Sequence, residues 1–193
     1  MAKKIVDRRI QRTRNLLLDA LLSLILEKDF DLITVQDVID RANVGRSTFY
    51  AHFQDKEDLL LSGFEHLKTQ LEEHLMSETV TRDSPWALSL AMFQHAQEKR
   101  QIHKALAGKQ GGNIGLKHIE KYLFTYLYTH MKQVITKGKN SIPPEIVAQY
   151  ITGSFMSLMA WWLENDSTYS AEEMNDFYRH LVQPSVDKIM HTL

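Results

Sequence analysis

The 193-residue sequence contains no cysteine and only four prolines and eight glycines. Its formal net charge is −1. The absence of cysteine excludes disulfides, a thiolate nucleophile and thiolate metal ligands, and it fits a reducing cytosol. A charge near zero gives no global sign of affinity for nucleic acid or membranes, so such affinity has to come from local clusters. No apolar run approaches the roughly 20 residues of a membrane span, and no secretory signal is recognisable. We therefore expect a cytoplasmic protein that does not associate with a membrane.

Apolar residues recur at three- and four-residue spacing through almost every long segment, which predicts an all-α fold. Start and stop signals place the expected helices at about 6–28, 35–42, 45–53, 56–78, 85–99, 114–137, 145–164 and from 171 to the end, with Pro184 kinking or splitting the last. The predicted helix starts include capping boxes at Thr34 and Ser170 and a cap at Asp55, and Asn43 is predicted to take the left-handed conformation in the turn after 35–42. The glycine-rich stretch "GKQGGNIG" at 108–115 is predicted to be a loop, and its spacing does not fit a phosphate-binding loop. We predict two domains, 1–55 and 56–193.

Residues 43–60, "NVGRSTFYAHFQDKEDLL", predict a helix-turn-helix arrangement. Two short helices joined by about three residues and packed on a longer one form this motif, whose second short helix enters the DNA major groove. Phe49 and Phe53, four residues apart, would fix that second helix to its own core. The outward residues are predicted to reach base edges and phosphates, and they are Arg46, Ser47, Thr48, Ala51 and His52.

Further polar residues around this segment are candidates for phosphate contacts. Tyr50 can donate from its phenol, Lys56 lies in the first turn of the next helix, and Thr34 begins the first short helix. Arg8, Arg9 and Arg12 are predicted to neutralise phosphates or to probe the minor groove. A second interpretation remains open at this point, because two short amphipathic helices with a charged, solvated face are common.

The string "TVQDVIDRANVGRSTFYAHFQDKEDLL" at 34–60 closely resembles the DNA-binding signature of TetR-family transcriptional regulators. The matching positions are Thr34, Val44, Thr48, Phe49, Tyr50, Phe53, Lys56 and Leu59. The sequence departs from the usual pattern at Asn43, where glycine is common, and at Gly45, where a serine-like cap is common. The resemblance covers about residues 10–60 and implies a three-helix DNA-binding domain followed by a helical ligand-binding and dimerisation domain.

The resemblance also implies a homodimer in which the last two helices of each chain pair as a four-helix bundle. Small residues on the predicted 145–164 helix would let a partner helix approach closely, although such a stripe can equally be intramolecular core. The predicted interface residues are Tyr150, Gly153, Ser157, Ala160 and Phe177. Twofold symmetry then predicts double-stranded DNA with an inverted repeat, its half-sites separated by ~34–36 Å or more.

A small-molecule effector that releases a repressor from its operator is a further implication of the family. The candidate lining residues are Trp86, Phe93, His95, His103, Tyr122, Tyr126, Met156 and Trp161. Because few of them are charged, we expect an apolar or aromatic effector held by one or two hydrogen bonds. Two alternatives stay open: the residues are ordinary core, or a protein partner replaces the effector.

Neither catalytic nor metal-binding patterns are evident, so we expect no enzyme activity, no cofactor and no metal site. The nine histidines form no HExxH motif and no paired Glu-x-x-His motif of the kind that builds metal sites in helical bundles. Besides a transcription factor, the sequence leaves open a bundle enzyme and a module whose C-terminal part binds a protein. Salt-dependent, sequence-specific affinity for DNA distinguishes the first from the other two.

Overall fold

A computed structural model describes residues 8–76, 85–106, 110–135, 142–165 and 167–191, without the side chains of 70–76, 85, 86, 110, 190 and 191. All regular structure in these ranges is helical, which confirms the all-α class. The helices are α1 (Arg8–Glu27), α2 (Val35–Ala42), α3 (Arg46–Tyr50), α4 (Lys56–Met76), α5 (Pro85–Glu98), α6 (Arg100–Leu106), α7 (Gln110–Val134), α8 (Pro144–Glu164) and α9 (Ala171–His191), with a 3-10 turn at Phe30–Leu32.

The chain forms two compact units. The first comprises Met1–Leu67 with Gln101–Gly115, and the second comprises Lys68–Arg100 with Leu116–Leu193. The domain boundary that the sequence predicts, between residues 55 and 56, therefore falls within the first unit. Both α4 and α7 begin in the first unit and continue into the second.

The first unit has a continuous apolar core drawn from α1, the 3-10 turn, α2, α3, the start of α4 and α6. Its fully buried side chains include Leu17, Leu21, Phe30, Val38, Phe49 and Leu59. Phe49 and Phe53 are both buried, as their four-residue spacing predicts. Burial of two aromatic rings from so short a segment fixes the orientation of α3, because α3 alone is too short to be stable in water.

Local capping interactions set the ends of α2. Thr34 and Asp37 form the predicted capping box: the Asp37 amide donates to the Thr34 hydroxyl at 3.2 Å, and the Thr34 amide donates to the Asp37 carboxylate at 2.7 Å. Asn43 ends the helix with φ 52° and ψ 49°, the left-handed conformation that asparagine tolerates. Gly45 then caps α3 with φ −74°, so its backbone does not require glycine.

The predicted third helix, 45–53, is longer than the observed α3, Arg46–Tyr50, because Ala51 and His52 form a turn. Asp55 then caps α4, because its side chain accepts a hydrogen bond from the Asp58 amide at 2.7 Å, as the sequence predicts. The helix α6, which the sequence analysis did not predict, follows α5 after a single turn residue.

The prediction of a loop at 108–115 is wrong from residue 110 onward, because α7 begins at Gln110. Residues 107–109 lie outside the described ranges. The glycines permit close packing instead of a turn: a Cβ on Gly112 would lie 2.1 Å from the Leu106 carbonyl oxygen. A Cβ on Gly115 would lie 2.2 Å from the Phe64 ring. Tertiary contact thus outweighs the helix-weakening entropy of glycine.

The second unit is built around buried aromatic rings. Phe93 lies against Phe155, Trp162 and Tyr178, with ring centroids 5.0, 5.6 and 6.5 Å away. The predicted capping box of α9 is present, since the Ser170 amide donates to Glu173 and the Glu173 amide donates to the Ser170 hydroxyl. The helix α9 nevertheless continues through Pro184 to His191, so the expected split does not occur.

The helix α8 supplies much of the second unit's core. Its buried side chains are Val147, Ala148, Ile151, Thr152, Phe155, Met159, Trp162 and Leu163. The sequence-based expectation that no apolar run approaches a membrane span does not hold for α8, which within the described ranges is the one helix long and apolar enough to cross a bilayer by length and composition. Core helices of folded domains satisfy the same criterion, and this helix has core residues along its whole length.

Candidate functional site

The helix α3 presents a polar outer surface above its buried rings. Arg46, Ser47 and Ala51 are exposed, whereas Thr48 and His52 are half-buried. Tyr50 is 53% exposed, and its ring meets the buried Phe49 ring edge-on at 5.3 Å. All the residues predicted for base and backbone contact in this segment are therefore at least partly exposed.

Arg46 lies in a chain of hydrogen bonds that joins α3 to α2. Its Nη2 donates to the Gln36 Oε1 at 3.0 Å, and the Gln36 Nε2 donates to the Asp40 Oδ1 at 2.8 Å. All three side chains are exposed. Gln36, which the sequence analysis did not identify, thus holds the guanidinium group beside α2, and its spacing of four residues from Asp40 is the pattern that could have revealed it.

A residue of α1, Arg14, contacts the backbone of His52 and the ring of Phe53. The Arg14 guanidinium group lies 4.5 Å from the centroid of the Phe53 ring, and its Nη1 donates to the His52 carbonyl oxygen at 3.5 Å. A cation above an aromatic face is attracted by the ring quadrupole. Arg14 therefore supports the turn after α3, a role that the sequence analysis did not assign to it.

Two of the predicted phosphate contacts carry structural hydrogen bonds. The Thr34 hydroxyl belongs to the capping box, and hydrogen bonds from Thr34 and the Lys28 ammonium group hold the pKa of Asp37 well below its usual value. The Lys56 Nζ donates to the carbonyl oxygens of Phe30, Asp31 and Ile33. Both phosphate contacts remain predictions, and both residues also make hydrogen bonds within the first unit.

The three arginines predicted to lie near DNA from the N-terminal side belong to the beginning of α1. Arg8, Arg9 and Arg12 are all exposed there. These positions are helical, so the described part of this region continues α1 and carries three exposed cations.

The residues predicted for the dimer interface lie along an exposed face of the last two helices. Tyr150 and Phe177 are 50% and 43% exposed, and Ser157 is exposed as well. A Cβ on Gly153 would meet nothing within 4 Å, so open space lies beside this position. Ala160 is half-buried on the same helix. Among the flanking residues, Phe155, Met159 and Trp162 instead belong to the core.

A pocket of about 400 Å³ opens in the second unit between the C-terminal half of α4 and α7. It brings together Tyr122 and Tyr126, two of the predicted ligand contacts, and burial raises the pKa of Tyr126. The remaining lining residues were not predicted, and they are Lys68, Thr125, Thr129, His130 and Gln133. Apart from Lys68, which lies on α4, these residues follow one face of α7, and that spacing is visible in the sequence.

Four of the other predicted ligand contacts are described residues of the second unit, and they do not line this pocket. Phe93 is fully buried in the aromatic core, and Trp161 is 47% exposed on α8. Met156 and His95 are half-buried, and burial, assisted by the charge of Lys99, lowers the pKa of His95. His103 belongs to the first unit, and the side chain of Trp86 lies outside the described residues.

A second, much smaller cavity of about 20 Å³ lies in the core of the second unit. Thr152 and Ser89 are among the residues that line it. The Thr152 side chain is fully buried, and its hydroxyl has no hydrogen-bond partner among the residues that the structure describes. The Ser89 hydroxyl donates to the Asn175 Oδ1 at 2.6 Å. This volume is enough for about one water molecule.

Two family profiles match most of the chain. The profile of bacterial regulatory proteins of the tetR family matches residues 17–62, which include α2 and α3. The profile of a transcriptional regulator C-terminal region matches residues 84–184, more than half of the chain.

Related sequences from Bacillus subtilis (strain 168) are also regulators. The uncharacterized HTH-type transcriptional regulator YxbF is 38% identical over 179 residues, which cover 88% of this chain but only 44% of that protein. The chain thus spans less than half the length of this relative. A fatty acid metabolism regulator protein is 24% identical over 168 residues, covering 79% of this chain and 84% of that protein.

Solved structures share the fold. A TetR transcriptional regulator from Streptococcus agalactiae 2603V is 27% identical, with a TM-score of 0.64 over 91% of this chain and 96% of that chain. Native NalD, the secondary repressor of the MexAB-OprM multidrug efflux pump in Pseudomonas aeruginosa, is 18% identical, with a TM-score of 0.68 over 92% and 96% of the two chains. The matched profiles, together with the helix-turn-helix geometry of α2 and α3, show that this chain belongs to the TetR family of DNA-binding transcriptional regulators.

Proposed function

We propose that the protein is a homodimeric repressor that binds an inverted-repeat operator through α3 and is released by a small molecule. The observation that carries the DNA-binding part is the outer surface of α3, where Arg46, Ser47 and Thr48 lie above a helix anchored by Phe49 and Phe53. Arginine and hydroxyl side chains can hydrogen-bond to base edges in the major groove. A helix fixed by buried rings presents these groups without a large cost in ordering them.

Phosphate contacts would come from residues around α3. We assign this role to Tyr50, Thr34 and the exposed arginines of α1. Lys56 is left out of this set because its ammonium group already donates to three carbonyl oxygens. Each phosphate neutralised by a cation releases counterions, so DNA affinity should fall steeply with salt. A net charge of −1 makes this local clustering the source of the attraction.

Dimerisation is supported by the exposed apolar residues of α8 and α9. Tyr150, Phe177 and Leu181 project from the second unit, the last with 69% of its surface exposed. Contiguous exposed apolar surface is typical of interfaces, and the open space beside Gly153 would accept a partner helix. A twofold dimer would present two copies of α3, which implies an operator with twofold symmetry.

Two observations support repression that a small molecule relieves: the names of similar regulators, and the pocket in the second unit. NalD is a repressor, and the fatty acid metabolism regulator is named for small-molecule metabolism. In this chain the pocket lies against the parts of α4 and α7 that belong to the second unit, and both helices continue from the first unit. A ligand that favours one arrangement of these helices would change the DNA affinity by its differential binding energy. Such a regulator works in the cytoplasm and needs no catalytic group.

Selection of bound sequences from a random duplex library with the purified protein tests this proposal. We expect enrichment of an inverted repeat and, with the selected duplex, affinity that falls steeply between about 50 and 200 mM salt. An enriched sequence without twofold symmetry would contradict the dimeric operator. No enrichment, with affinity that is independent of salt, would contradict DNA recognition and favour a protein partner for the second unit.

A further inference from the structure

The exposed side of α2 carries two polar side chains, Gln36 and Asp40, that link α2 to α3. The Arg46 Nη2 donates to the Gln36 Oε1 at 3.0 Å, and the Gln36 Nε2 donates to the Asp40 Oδ1 at 2.8 Å. Gln36 and Asp40 lie four residues apart, on the same face of α2. Of these three side chains, only Arg46 belongs to α3, the helix proposed to read DNA. The two residues of α2 therefore act on that helix through one guanidinium group.

We propose that Asp40 and Gln36 are positioning residues that determine base specificity by orienting Arg46 toward a guanine. The inference rests on the proposed binding of DNA through α3, and it names residues outside α3 on which recognition depends. The commonest specific contact of arginine in the major groove is a pair of hydrogen bonds to guanine O6 and N7. Such a pair requires a guanidinium plane of fixed direction, whereas an exposed arginine side chain samples many rotamers.

The carboxylate of Asp40 determines which way the Gln36 amide faces. An ionised carboxylate only accepts hydrogen bonds, so the amide has to turn its nitrogen toward Asp40. The amide oxygen then faces Arg46, whose guanidinium group only donates. A reversed amide would oppose two acceptors at Asp40 and two donors at Arg46. Hydrogen-bond chemistry therefore selects the observed orientation, and Asp40 acts on Arg46 through the amide.

A neutral amide suits this position better than a carboxylate. A guanidinium group has several N–H donors, and the bond to Gln36 uses one of them, so the others can reach DNA. A carboxylate in direct contact engages two donors at once and holds the cation more strongly. Glu27 holds Arg41 in this way, accepting from Nη1 at 2.8 Å and from Nη2 at 2.6 Å. Arg46 is instead oriented by a partner that leaves it available to a base.

The hydrogen bonds of this linkage are exposed in the free protein. All three side chains are in contact with solvent, so the two bonds contribute only modestly to stability. Docking of DNA on α3 removes water from this surface, and hydrogen bonds strengthen in the less polar environment that results. We therefore expect the linkage to affect base recognition more than folding.

Affinities of the full chain for the selected operator and for its single-base variants test this proposal. We expect Arg46→Ala and Gln36→Met to lose discrimination at the same guanine. For Gln36→Met the loss should be at least about fivefold, which is what one hydrogen bond of typical net strength contributes. The double variant should discriminate no worse than Arg46→Ala alone, because Gln36 acts only through Arg46.

Two variants of Asp40 isolate the hydrogen bond from the charge. Asp40→Asn keeps an oxygen that accepts from the Gln36 amide, whereas Asp40→Leu removes it. Both variants remove the same negative charge, so both should change the affinity for all duplexes about equally. We expect Asp40→Asn to retain discrimination at the guanine and Asp40→Leu to lose about threefold or more of it.

Several outcomes would overturn the proposal. Loss of discrimination at a different base pair in Gln36→Met, or additive losses in the double variant, would show that Gln36 reads a base itself. Unchanged discrimination in Gln36→Met, equal discrimination by the two Asp40 variants, or the absence of a guanine that depends on Arg46 would reject the linkage.

The wild-type protein separates failure of this inference from failure of the proposed function. If it selects an operator, the outcomes above reject only the positioning role of Gln36 and Asp40. If it selects none, DNA recognition and the positioning role are rejected together. Thermal melting of each variant verifies that it is folded.

Discussion

The ammonium nitrogen of Lys56 lies 2.7 Å from the carbonyl oxygen of Phe30, across the junction between the 3-10 turn and α4. The same nitrogen donates to the carbonyl oxygens of Asp31 at 3.2 Å and Ile33 at 2.8 Å. An ammonium group has three donors, so these three carbonyl oxygens can occupy all of them. Lys56 thus joins the start of α4 to the segment that precedes α2.

Replacement of Lys56 by methionine should lower the free energy of unfolding by about 2 kcal/mol, because the partly buried hydrogen bonds to the Phe30 and Ile33 carbonyl groups lose their charged donor. The slope of DNA affinity against salt should change by less than one unit. Denaturant unfolding and binding at several salt concentrations measure the two effects, with Lys132→Met as the control. Unchanged stability with a slope reduced by about one unit would instead assign Lys56 to direct phosphate binding, as the sequence alone predicts.

Arg46 should read a base edge, since Gln36 holds its guanidinium group on the exposed side of α3. We expect Arg46→Ala to remove about 1–3 kcal/mol of discrimination at one base step of the selected operator. Arg12→Ala, at the exposed start of α1, should weaken binding to all duplexes about equally. Affinities for a set of single-base operator variants distinguish these outcomes. If Arg46→Ala weakens binding to all operator variants equally, Arg46 contacts a phosphate and not a base.

The parts of the fold that the sequence predicts correctly depend on neighbours within a few residues. The capping boxes at Thr34 and Ser170 and the left-handed Asn43 require only local side-chain chemistry, and the structure confirms them. The glycines of α7 were predicted wrongly because their neighbours, Phe64 and Leu106, are brought close by tertiary packing. Local propensity therefore predicted a loop where packing stabilises a helix.

Gly112→Ala gives a sharp test of that packing. In an exposed helix this change stabilises by roughly 1 kcal/mol, but here the added Cβ would lie 2.1 Å from a backbone oxygen. We expect a loss of about 1–3 kcal/mol of stability from overpacking, or more if α6 has to shift. Asn113→Ala, at the exposed neighbouring position, should be neutral or slightly stabilising. Stabilisation by Gly112→Ala in thermal melting would show that the helices separate easily here.

Only part of the candidate site can be predicted from the sequence, because some of its residues come together only through tertiary packing. The outer face of α3 follows from spacing alone, because Phe49 and Phe53 determine which side is buried. Lys68 lies more than fifty residues before Tyr122, and no local pattern joins them. The sequence of α8 is apolar on both its exposed and its buried face, so only the position of the aromatic core distinguishes the two faces.

Gly153→Arg should weaken dimerisation without unfolding the individual protomer. The position has open space around it, so a larger side chain is tolerated within the second unit. Across a close helix–helix contact it would cause a steric clash and bury a charge, and we expect at least about tenfold weaker dimerisation. Sedimentation over a range of concentrations measures this. Glu98→Arg, on exposed α5 surface, is the control, and equal association of both variants would move the interface away from Gly153.

Thr152 offers a test of the core of the second unit. Its buried hydroxyl has no partner within the described part of the chain and lies beside a cavity of about 20 Å³. One buried unsatisfied group costs about 1–3 kcal/mol. We therefore expect Thr152→Val, which replaces the hydroxyl by a methyl group, to raise the free energy of unfolding by about 1 kcal/mol or more. Thr152→Ser keeps the hydroxyl and removes the methyl group, so it should lower stability by about 1 kcal/mol. Denaturant unfolding measures both variants. Destabilisation by valine would mean that a bound water satisfies the hydroxyl, because removal of the hydroxyl would then break a hydrogen bond that stabilises the native core.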